Sequence, residues 1–453
     1  MTDLAIVFGL VFMLICIAIF LLHSSYIGRV TLLDWSVLGI GGIYGGGWAL
    51  VAYVTRAGGN SFWEKWLLPS DHLYPLHTLC SIILVGVIYL GWLFAGPLRI
   101  KSHKRSKAPL MQNDYRLYRA GWMLLILALV MQWLYTYAYG GYIGALDYSA
   151  SIRSAIFTVN NPLSFLRPFG GLAFFSSFLF FGLWLGGCNR RGIKIGFVLA
   201  FVFSIYILFS WLGRIGFLVF LATFVLGVLL AKRVRPLSLL AGGCLIMLLI
   251  LIGAYQVSVW FNFKEANNVF LFMARELSFP FASFFAQLDA GEHLFRAFKD
   301  LLVAPVYLLP SSLWSNWVEN VSQVNTALIM GAPKGEAGVT GGIPVDLITL
   351  GLMQASGAGI AVVGFLFGIG LRLIQFFVDS IRNPGVHAVF ESHIALNISV
   401  LAVFYAQPSL VVSSNIALIA AIFIIVLNTR MPRIRLFRRL GHVDSMGARI
   451  HQG

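Results

Sequence analysis

Charged side chains are scarce in this chain of 453 residues: Asp, Glu, Lys and Arg make up 11% of it, whereas 59% of the residues are hydrophobic. A water-soluble protein of this length could not bury so much apolar surface, but a lipid bilayer accepts it directly. Cysteine is rare too, and the four cysteines lie in or beside apolar segments without CxxC spacing, which argues against a disulfide framework. The composition predicts an all-α polytopic membrane protein.

Familiar motifs for catalysis or metal binding are also missing. The sequence has no phosphate-binding loop, dinucleotide fingerprint or nucleophile elbow. Of its histidines, His72, His77 and His293 are predicted to lie outside the cytoplasm, and they show no HxxxH or HExxH spacing. We therefore predict no metal and no cofactor. The net charge of +15 does not indicate nucleic acid, because the cytoplasmic loops of membrane proteins are enriched in Lys and Arg.

Eleven apolar segments are long enough to cross a hydrocarbon core of about 30 Å, which needs roughly 20 residues. The ninth is too long for a simple crossing, and we expect it to begin as a short or re-entrant helix and to become a span near Ala355. Glycine-rich stretches at 39–47 and 357–370 predict close helix packing within spans. The predicted spans are 4–23, 31–54, 75–96, 118–138, 168–187, 195–213, 215–231, 237–260, 343–377, 391–409 and 410–429.

Basic residues set the expected orientation of these spans. Most of the 32 Lys and Arg residues fall on one side, above all in the 97–119 loop and the 430–453 tail. By the positive-inside rule that side is the cytoplasm. The chain is then one integral membrane domain, 1–453, with its N-terminus outside and its C-terminus inside.

Two loops stand out on the opposite side. Residues 139–167 form a moderately long loop. Residues 261–342 form a loop long enough to hold its own structure, and such loops are usually functional or disordered. Because the second is rich in aromatic and aliphatic residues, disorder is not expected. We predict that it carries amphipathic helices at the membrane surface.

Four arginines are predicted on this outer side, where the charge bias should make them rare: Arg153, Arg167, Arg214 and Arg275. Each taken alone could reach to the lipid headgroups or pair with an acid such as Glu276 or Asp147. A guanidinium, however, presents a planar fork of donors that suits phosphate oxygens. We predict that the four converge on one pyrophosphate, whose departure they would stabilise electrostatically.

Acidic residues in the outer segments are candidates for a general base. A carboxylate at the mouth of an apolar helix, such as Asp346, is costly without a partner or a function; capping of the helix is the alternative. We predict Arg214, Arg275, Glu276 and Asp346 as catalytic residues. Substrate binding is predicted for Arg153, Arg167, Lys334 and Glu336, although the last two could simply pair on a solvated loop.

The order of these features resembles that of the O-antigen and enterobacterial-common-antigen polymerases, the Wzy-type oligosaccharide repeat-unit polymerases. The resemblance covers about residues 205–375, and the topology extends it over most of the chain. The segments that carry it are SWLGRIGFLVFLATFV, FMARELSFPFASF, PVYLLPSSLW and GGIPVDLITLGLMQASGAGIAVVGFLFG.

This resemblance implies a bacterial inner-membrane, metal-independent glycosyltransferase with a GT-C-like fold. Such an enzyme transfers a growing chain from undecaprenyl pyrophosphate to a new lipid-linked repeat unit at the periplasmic face, which makes the N-terminus periplasmic. The implied partners are the lipid-linked oligosaccharide donor and acceptor, membrane lipid and a polysaccharide chain-length regulator, with no nucleic acid.

Two other functions are weighed against the polymerase. The related O-antigen ligases carry a histidine where this chain reads GGIPVDLI, and no histidine stands there, which argues against a ligase and leaves the base open between Asp346, Glu276 and none. A transporter of lipid-linked sugars would tend to place charges at the membrane midplane within internal repeats. Such charges are nearly missing here, so this alternative is weaker.

Overall fold

The structure is a computed structural model, and the residues it describes are helical or lie in connections between helices. It describes residues 2–58, 64–67, 74–96, 110–154, 159–212, 214–260, 269–289, 295–310, 313–315, 317–339 and 341–429. The basic loop at 97–119 is therefore described only from residue 110, where it is already helical, and the basic tail 430–453 lies outside the described residues.

The described residues contain twenty α-helices. They are α1 (Thr2–Ile27), α2 (Leu32–Ile40), α3 (Trp48–Arg56), α4 (Glu64–Leu67), α5 (Tyr74–Phe94), α6 (Leu110–Tyr137), α7 (Gly141–Asp147), α8 (Ser149–Ser154), α9 (Leu172–Leu185), α10 (Arg191–Trp211), α11 (Arg214–Ala231), α12 (Pro236–Trp260), α13 (Val269–Asp289), α14 (Lys299–Leu302), α15 (Val321–Met330), α16 (Leu347–Asp379), α17 (Pro384–Ile394), α18 (Ala402–Phe404), α19 (Pro408–Ser414) and α20 (Ile416–Thr429). A π-helical segment, Gly41–Gly47, joins α2 to α3, and another, Ala395–Leu401, joins α17 to α18. A 3₁₀ helix, Ser164–Gly171, leads into α9.

Nine helical stretches in the described ranges are long and apolar enough to cross a membrane. All but one coincide with predicted spans. Of the other predicted spans, two lie on α11 and α12, and the last is the pair α19 and α20, which are bent by 46° against each other. The protein is therefore a polytopic helical membrane protein, as the composition predicts.

The exception is α13, which the sequence placed in a surface loop. It passes the same test of length and hydropathy as the predicted spans. Every residue from Ser278 to Gln287 is buried, packed chiefly against α3, α4 and α16. This helix thus differs from the amphipathic surface helix expected there, because its apolar residues surround it instead of forming one stripe.

Buried side chains form two large clusters. The first lies between α1, α2, α3, α5, α13 and α16. The second lies between α6, α9, α10, α11, α17 and α20. The segment from α17 through the following π-helix contributes to both clusters, so it joins the two helix groups.

Glycines allow the closest helix contacts, as predicted. Gly364 and Gly368 of α16 face Leu84 and Ile88 of α5, and a Cβ atom at Gly368 would overlap the carbonyl oxygen of Ile88. Their four-residue spacing places both on one face of the helix, the small-residue pattern of packed membrane helices. Gly45 and its neighbours play the same part against α1.

Helix α16 is broken close to the predicted position. Ala355 and Ser356 have non-helical backbone angles, with φ of −161° and +52°. A Cβ atom at Gly351 would lie 2.5 Å from the Cα of Ile360, whereas residues nine apart in a straight helix are separated by about 13 Å. The chain therefore doubles back, and residues 347–354 form a short helix packed against the start of the long one. This confirms the expected re-entrant piece.

Candidate functional site

Asp346 lies at the start of the short re-entrant helix and is completely buried. Its Oδ2 accepts hydrogen bonds from the backbone N–H groups of Ile348 (3.1 Å) and Thr349 (3.5 Å), so it caps this helix. The same oxygen accepts a 2.7 Å hydrogen bond from the Tyr44 hydroxyl.

The position of Asp346 is deep within the helix bundle. Tyr44 stands midway along the spanning stretch Leu32–Arg56, and its hydroxyl also lies 3.3 Å from the carbonyl oxygen of Val403. The Oδ1 atom of Asp346 is buried without a hydrogen-bond partner in the described residues. The capping role expected as the alternative is thus observed, while the predicted catalytic role stays a prediction.

Side chains of α15 and a glutamine hold the extended segment before Asp346 in place. Thr326 Oγ1 accepts a 2.7 Å hydrogen bond from the Ile343 N–H, and Asn325 Nδ2 donates to the Pro344 carbonyl at 3.1 Å. Beyond them, Gln407 Oε1 accepts from the Val345 N–H at 2.8 Å. These bonds satisfy backbone groups that would otherwise be stranded inside the protein.

The other end of the re-entrant helix is clamped by Arg296 and its neighbours. The Arg296 and Ala297 N–H groups donate to the carbonyls of Met353 and Gln354, which end the short helix. Gln354 Nε2 donates to Asp300 Oδ2 at 2.7 Å, and the Arg296 Nε and Nη2 donate to the two oxygens of Asp300 at 2.6 and 3.0 Å. Asp300 is 1% exposed and Gln354 is fully buried, so this is an interior polar network.

A polar pocket of about 280 Å³ lies beside this network and contains two predicted substrate-binding residues. The pocket is lined by Glu319, Gln323, Val324, Ala327, Pro333, Lys334 and Glu336. Helix α15 links it to the re-entrant helix, because one face of α15 holds the segment before Asp346 and the adjacent face lines the pocket. Lys334 and Glu336 are thus brought to one site by the fold. No ion pair between them is found among the described residues, so the simple pairing considered for them is not seen.

Glu319 connects the pocket to the clamp. Its Oε2 accepts a 3.0 Å hydrogen bond from Arg296 Nη1, and its carbonyl accepts from Arg296 Nη2 at 3.3 Å. The Arg296 side chain is 9% exposed whereas that of Glu319 is 59% exposed. A buried guanidinium therefore fixes the direction of a carboxylate that faces the pocket.

Arg167 is half-buried in the 3₁₀ helix before α9. Its guanidinium lies 5.9 Å from the centre of the Trp211 ring, a cation–π contact. Tyr135 and Tyr139 are its nearest ionisable neighbours. Within the described residues no carboxylate pairs with it.

Arg275 and Glu276 follow each other on α13. Arg275 is half-buried, its Nε has no hydrogen-bond partner in the described part of the chain, and it forms no ion pair there. Glu276 is exposed and interacts electrostatically with Tyr405. Arg275 is thus the residue of this pair that lacks a counter-ion in the described part of the chain.

Of the four arginines that are predicted to converge, the structure describes two side chains. The side chains of Arg153, on α8, and Arg214, at the start of α11, lie outside the described residues. Arg167 belongs to the helix group of α6, α9 and α10, whereas Arg275 packs within the group of α3 and α16. No described contact joins these two residues, so a shared pyrophosphate stays a prediction.

His77, one of the histidines expected on the outer side, is buried instead. Its ring is surrounded by Tyr44, Trp48, Phe281 and Phe284 at centroid distances of 4.9 to 6.1 Å. His72 and His293 lie outside the described residues. No group of three or more His, Cys, Asp or Glu that could hold a metal occurs where the structure is described.

Several residues of this region are not predicted from the sequence as site residues. Tyr44 lies in the glycine-rich stretch 39–47, whose pattern predicts helix packing, and Arg296 lies in the predicted loop 261–342. Asp300 and Gln354 lie outside every predicted site. The Arg–x–x–x–Asp spacing of residues 296 and 300 is a weak signal for a helical ion pair, but its burial could not be foreseen.

Comparison of the chain with protein-family models, with characterised proteins and with solved structures finds no match.

Proposed function

We propose that this protein is a membrane polymerase that joins lipid-linked oligosaccharide repeat units at the outer face of the membrane. The acceptor hydroxyl oxygen attacks the anomeric carbon of the donor chain, and the bond from that carbon to the pyrophosphate oxygen breaks. The hydroxyl proton passes to a carboxylate. The lipid pyrophosphate leaves, and arginines bind its new negative charge.

The observation that carries this proposal is the state of Arg167 and Arg275. Two other arginines pair with acids, Arg29 with Asp379 and Arg296 with Asp300, whereas the half-buried Arg372 lies over the rings of Trp92 and Phe376. Arg167 and Arg275 are half-buried and have no such partner among the described residues. A partly desolvated guanidinium without a counter-ion favours binding of an external anion, and its fork of donors suits a phosphate group.

Glu276 is the carboxylate that we assign to proton transfer. It is exposed and adjacent to Arg275, so an acceptor hydroxyl could approach it directly. Asp346, by contrast, is fully buried and occupied with capping. We assign it a positioning role. It caps the start of the re-entrant helix, and α15 connects that helix to the pocket.

The proposal is tested with Arg167→Ala and Arg275→Ala in cells lacking the native gene. Both variants should abolish long polysaccharide while single-unit product and protein level persist. Arg190→Ala is the matched control, because Arg190 also contacts an aromatic ring, that of Tyr115 at 5.6 Å, but is exposed and lies at the opposite end of α10. Normal chain-length ladders from both arginine variants would overturn the proposal.

The same deletion strain separates the polymerase from a ligase. Loss of polymer on the lipid carrier supports polymerisation. Accumulation of lipid-linked polymer would instead indicate transfer of a finished chain to another acceptor. A purified membrane preparation incubated with a defined lipid-linked repeat unit gives the direct assay, since a polymerase needs no other acceptor.

A further inference from the structure

The charges of the side chains that line the pocket beside α15 do not suit a phosphate ligand. Glu319 and Glu336 bring two carboxylates to its wall, and Lys334 brings one cation. Since Arg296 is already paired with Asp300 and Glu319, it does not supply a free positive charge. The pocket is therefore not equivalent to the arginine sites, and a pyrophosphate placed here would meet like charge.

Its polar groups suit a ligand with several hydroxyls. Carboxylates accept hydrogen bonds, the lysine ammonium donates them, and the amide of Gln323 does both. Val324, Ala327 and Pro333 form an apolar wall between these groups. A pyranose ring offers the complement, because its C–H groups cover the faces and its hydroxyls radiate from the edge.

The size of the pocket limits the ligand. A cavity of about 280 Å³ is at the lower end of the range of ligand pockets, roughly 300–1,000 Å³. It holds one sugar residue and not an extended oligosaccharide.

The fold also holds the lining groups in place before a ligand arrives. Glu319 is fixed by the buried Arg296 guanidinium. Lys334 is half-buried, with its Cδ near the chain at Gly342. The turn that carries Lys334 and Glu336 is closed by a 2.8 Å hydrogen bond from the Gly335 N–H to the Val339 carbonyl. Such preorganisation lowers the entropy lost on binding.

We infer that this pocket binds a single uncharged sugar residue, held by Glu319, Gln323, Lys334 and Glu336. The assignment of that sugar to the lipid-linked substrate rests on the proposed function. The sugar and the pyrophosphate then occupy separate sites, one rich in carboxylates and one formed by arginines. A carboxylate bonded to a sugar hydroxyl also discriminates against analogues that lack the hydroxyl.

The test uses the full-length protein in detergent micelles and saturation-transfer NMR. The probes are methyl glycosides of neutral hexoses and of N-acetylhexosamines, with inorganic pyrophosphate and a diamine as competitors. At least one glycoside should bind in the millimolar range. Glu336→Gln and Gln323→Ala should each weaken its binding about tenfold, the effect of losing one hydrogen bond to a charged or polar partner. Met330→Ala, a change on α15 outside the pocket, should bind as wild type.

Three results would overturn the inference. They are the lack of binding by every glycoside, glycoside binding that neither pocket variant weakens, and displacement of the glycoside by pyrophosphate or by the diamine, which would show an anion or a cation site. Variants that fail to bind must keep the wild-type thermal unfolding midpoint; if they do not, Lys334→Met, at a half-buried lysine on the pocket turn, replaces them.

Failure of the polymerase proposal appears in a different experiment. Arg167→Ala should keep glycoside binding while losing long polysaccharide. A normal ladder from that variant together with intact glycoside binding would reject the polymerase and retain the sugar pocket.

Discussion

The Tyr44 hydroxyl donates a 2.7 Å hydrogen bond to Asp346, and so ties the middle of one membrane-spanning stretch to the start of the re-entrant helix. Both residues are almost fully buried. The bond satisfies one oxygen of the carboxylate, while the other has no described partner. This pair fixes where the chain turns inside the bundle.

Asp346→Ala removes the cap of the short helix and the acceptor of the Tyr44 hydrogen bond. Loss of a helix cap typically costs about 0.5–2 kcal/mol, and the stranded Tyr44 hydroxyl adds to that cost. Thermal unfolding in detergent measures the change, with Asp147→Asn, at an exposed aspartate, as control. An unfolding midpoint equal to that of wild type would show that Asp346 does not stabilise the short helix.

Breaking the clamp at Arg296 should be costly. Asp300→Ala leaves a guanidinium with 9% exposure without its main partner, and the loss of one partner of a buried ion pair typically costs about 3–5 kcal/mol. Lys299→Ala, at the exposed neighbour, should change stability little. Unfolding by denaturant measures both. If Asp300→Ala is as stable as Lys299→Ala, the network does not hold the re-entrant helix.

A weaker effect is expected for the pair of Arg29 and Asp379. Their side chains are 46% and 29% exposed, and exposed ion pairs contribute about 0–1 kcal/mol. Arg29→Gln should thus lower the unfolding midpoint much less than Asp300→Ala. The opposite order would indicate that the Arg29 end of the bundle is shielded more strongly than its exposure suggests.

The hairpin of α16 depends on two facing glycines. Gly359→Ala places a Cβ atom against the Gly351 carbonyl oxygen, so the two helices must separate, and overpacking of this kind costs about 1–3 kcal/mol or more. Gly370→Ala is the control, because a Cβ atom there meets nothing within 4 Å and alanine favours helix. Thermal unfolding and gel filtration of both variants give the comparison.

Much of the fold is predictable because hydropathy is a local property. A stretch of about 20 apolar residues identifies a span wherever its neighbours lie, so every predicted span falls on one helix or on consecutive helical segments. The excess length of 343–377 likewise indicates a re-entrant start, and the break at Ala355 and Ser356 follows. The prediction for α13 is wrong for the same reason. Arg275 and Glu276 give its sequence a surface character, which its buried second half does not share.

Less of the candidate site can be predicted from the sequence. Lys334 and Glu336 are predicted and line one pocket, but Glu319 and Gln323 complete it only because α15 turns one face toward the loop. Asp346 is predicted as catalytic and is found as a buried cap. The arginines are named from the sequence, yet whether they meet depends on side chains of which only those of Arg167 and Arg275 are described.

By itself, the sequence determines that the chain lies in a membrane, roughly where most of its spans lie, and that one of them is broken. These properties follow from the hydropathy of short stretches of the sequence. Only the tertiary structure decides that Tyr44 meets Asp346 across 302 positions and that Arg296 reaches Asp300, Gln354 and the pocket. Such contacts depend on how helices are packed and rotated, which no local pattern specifies.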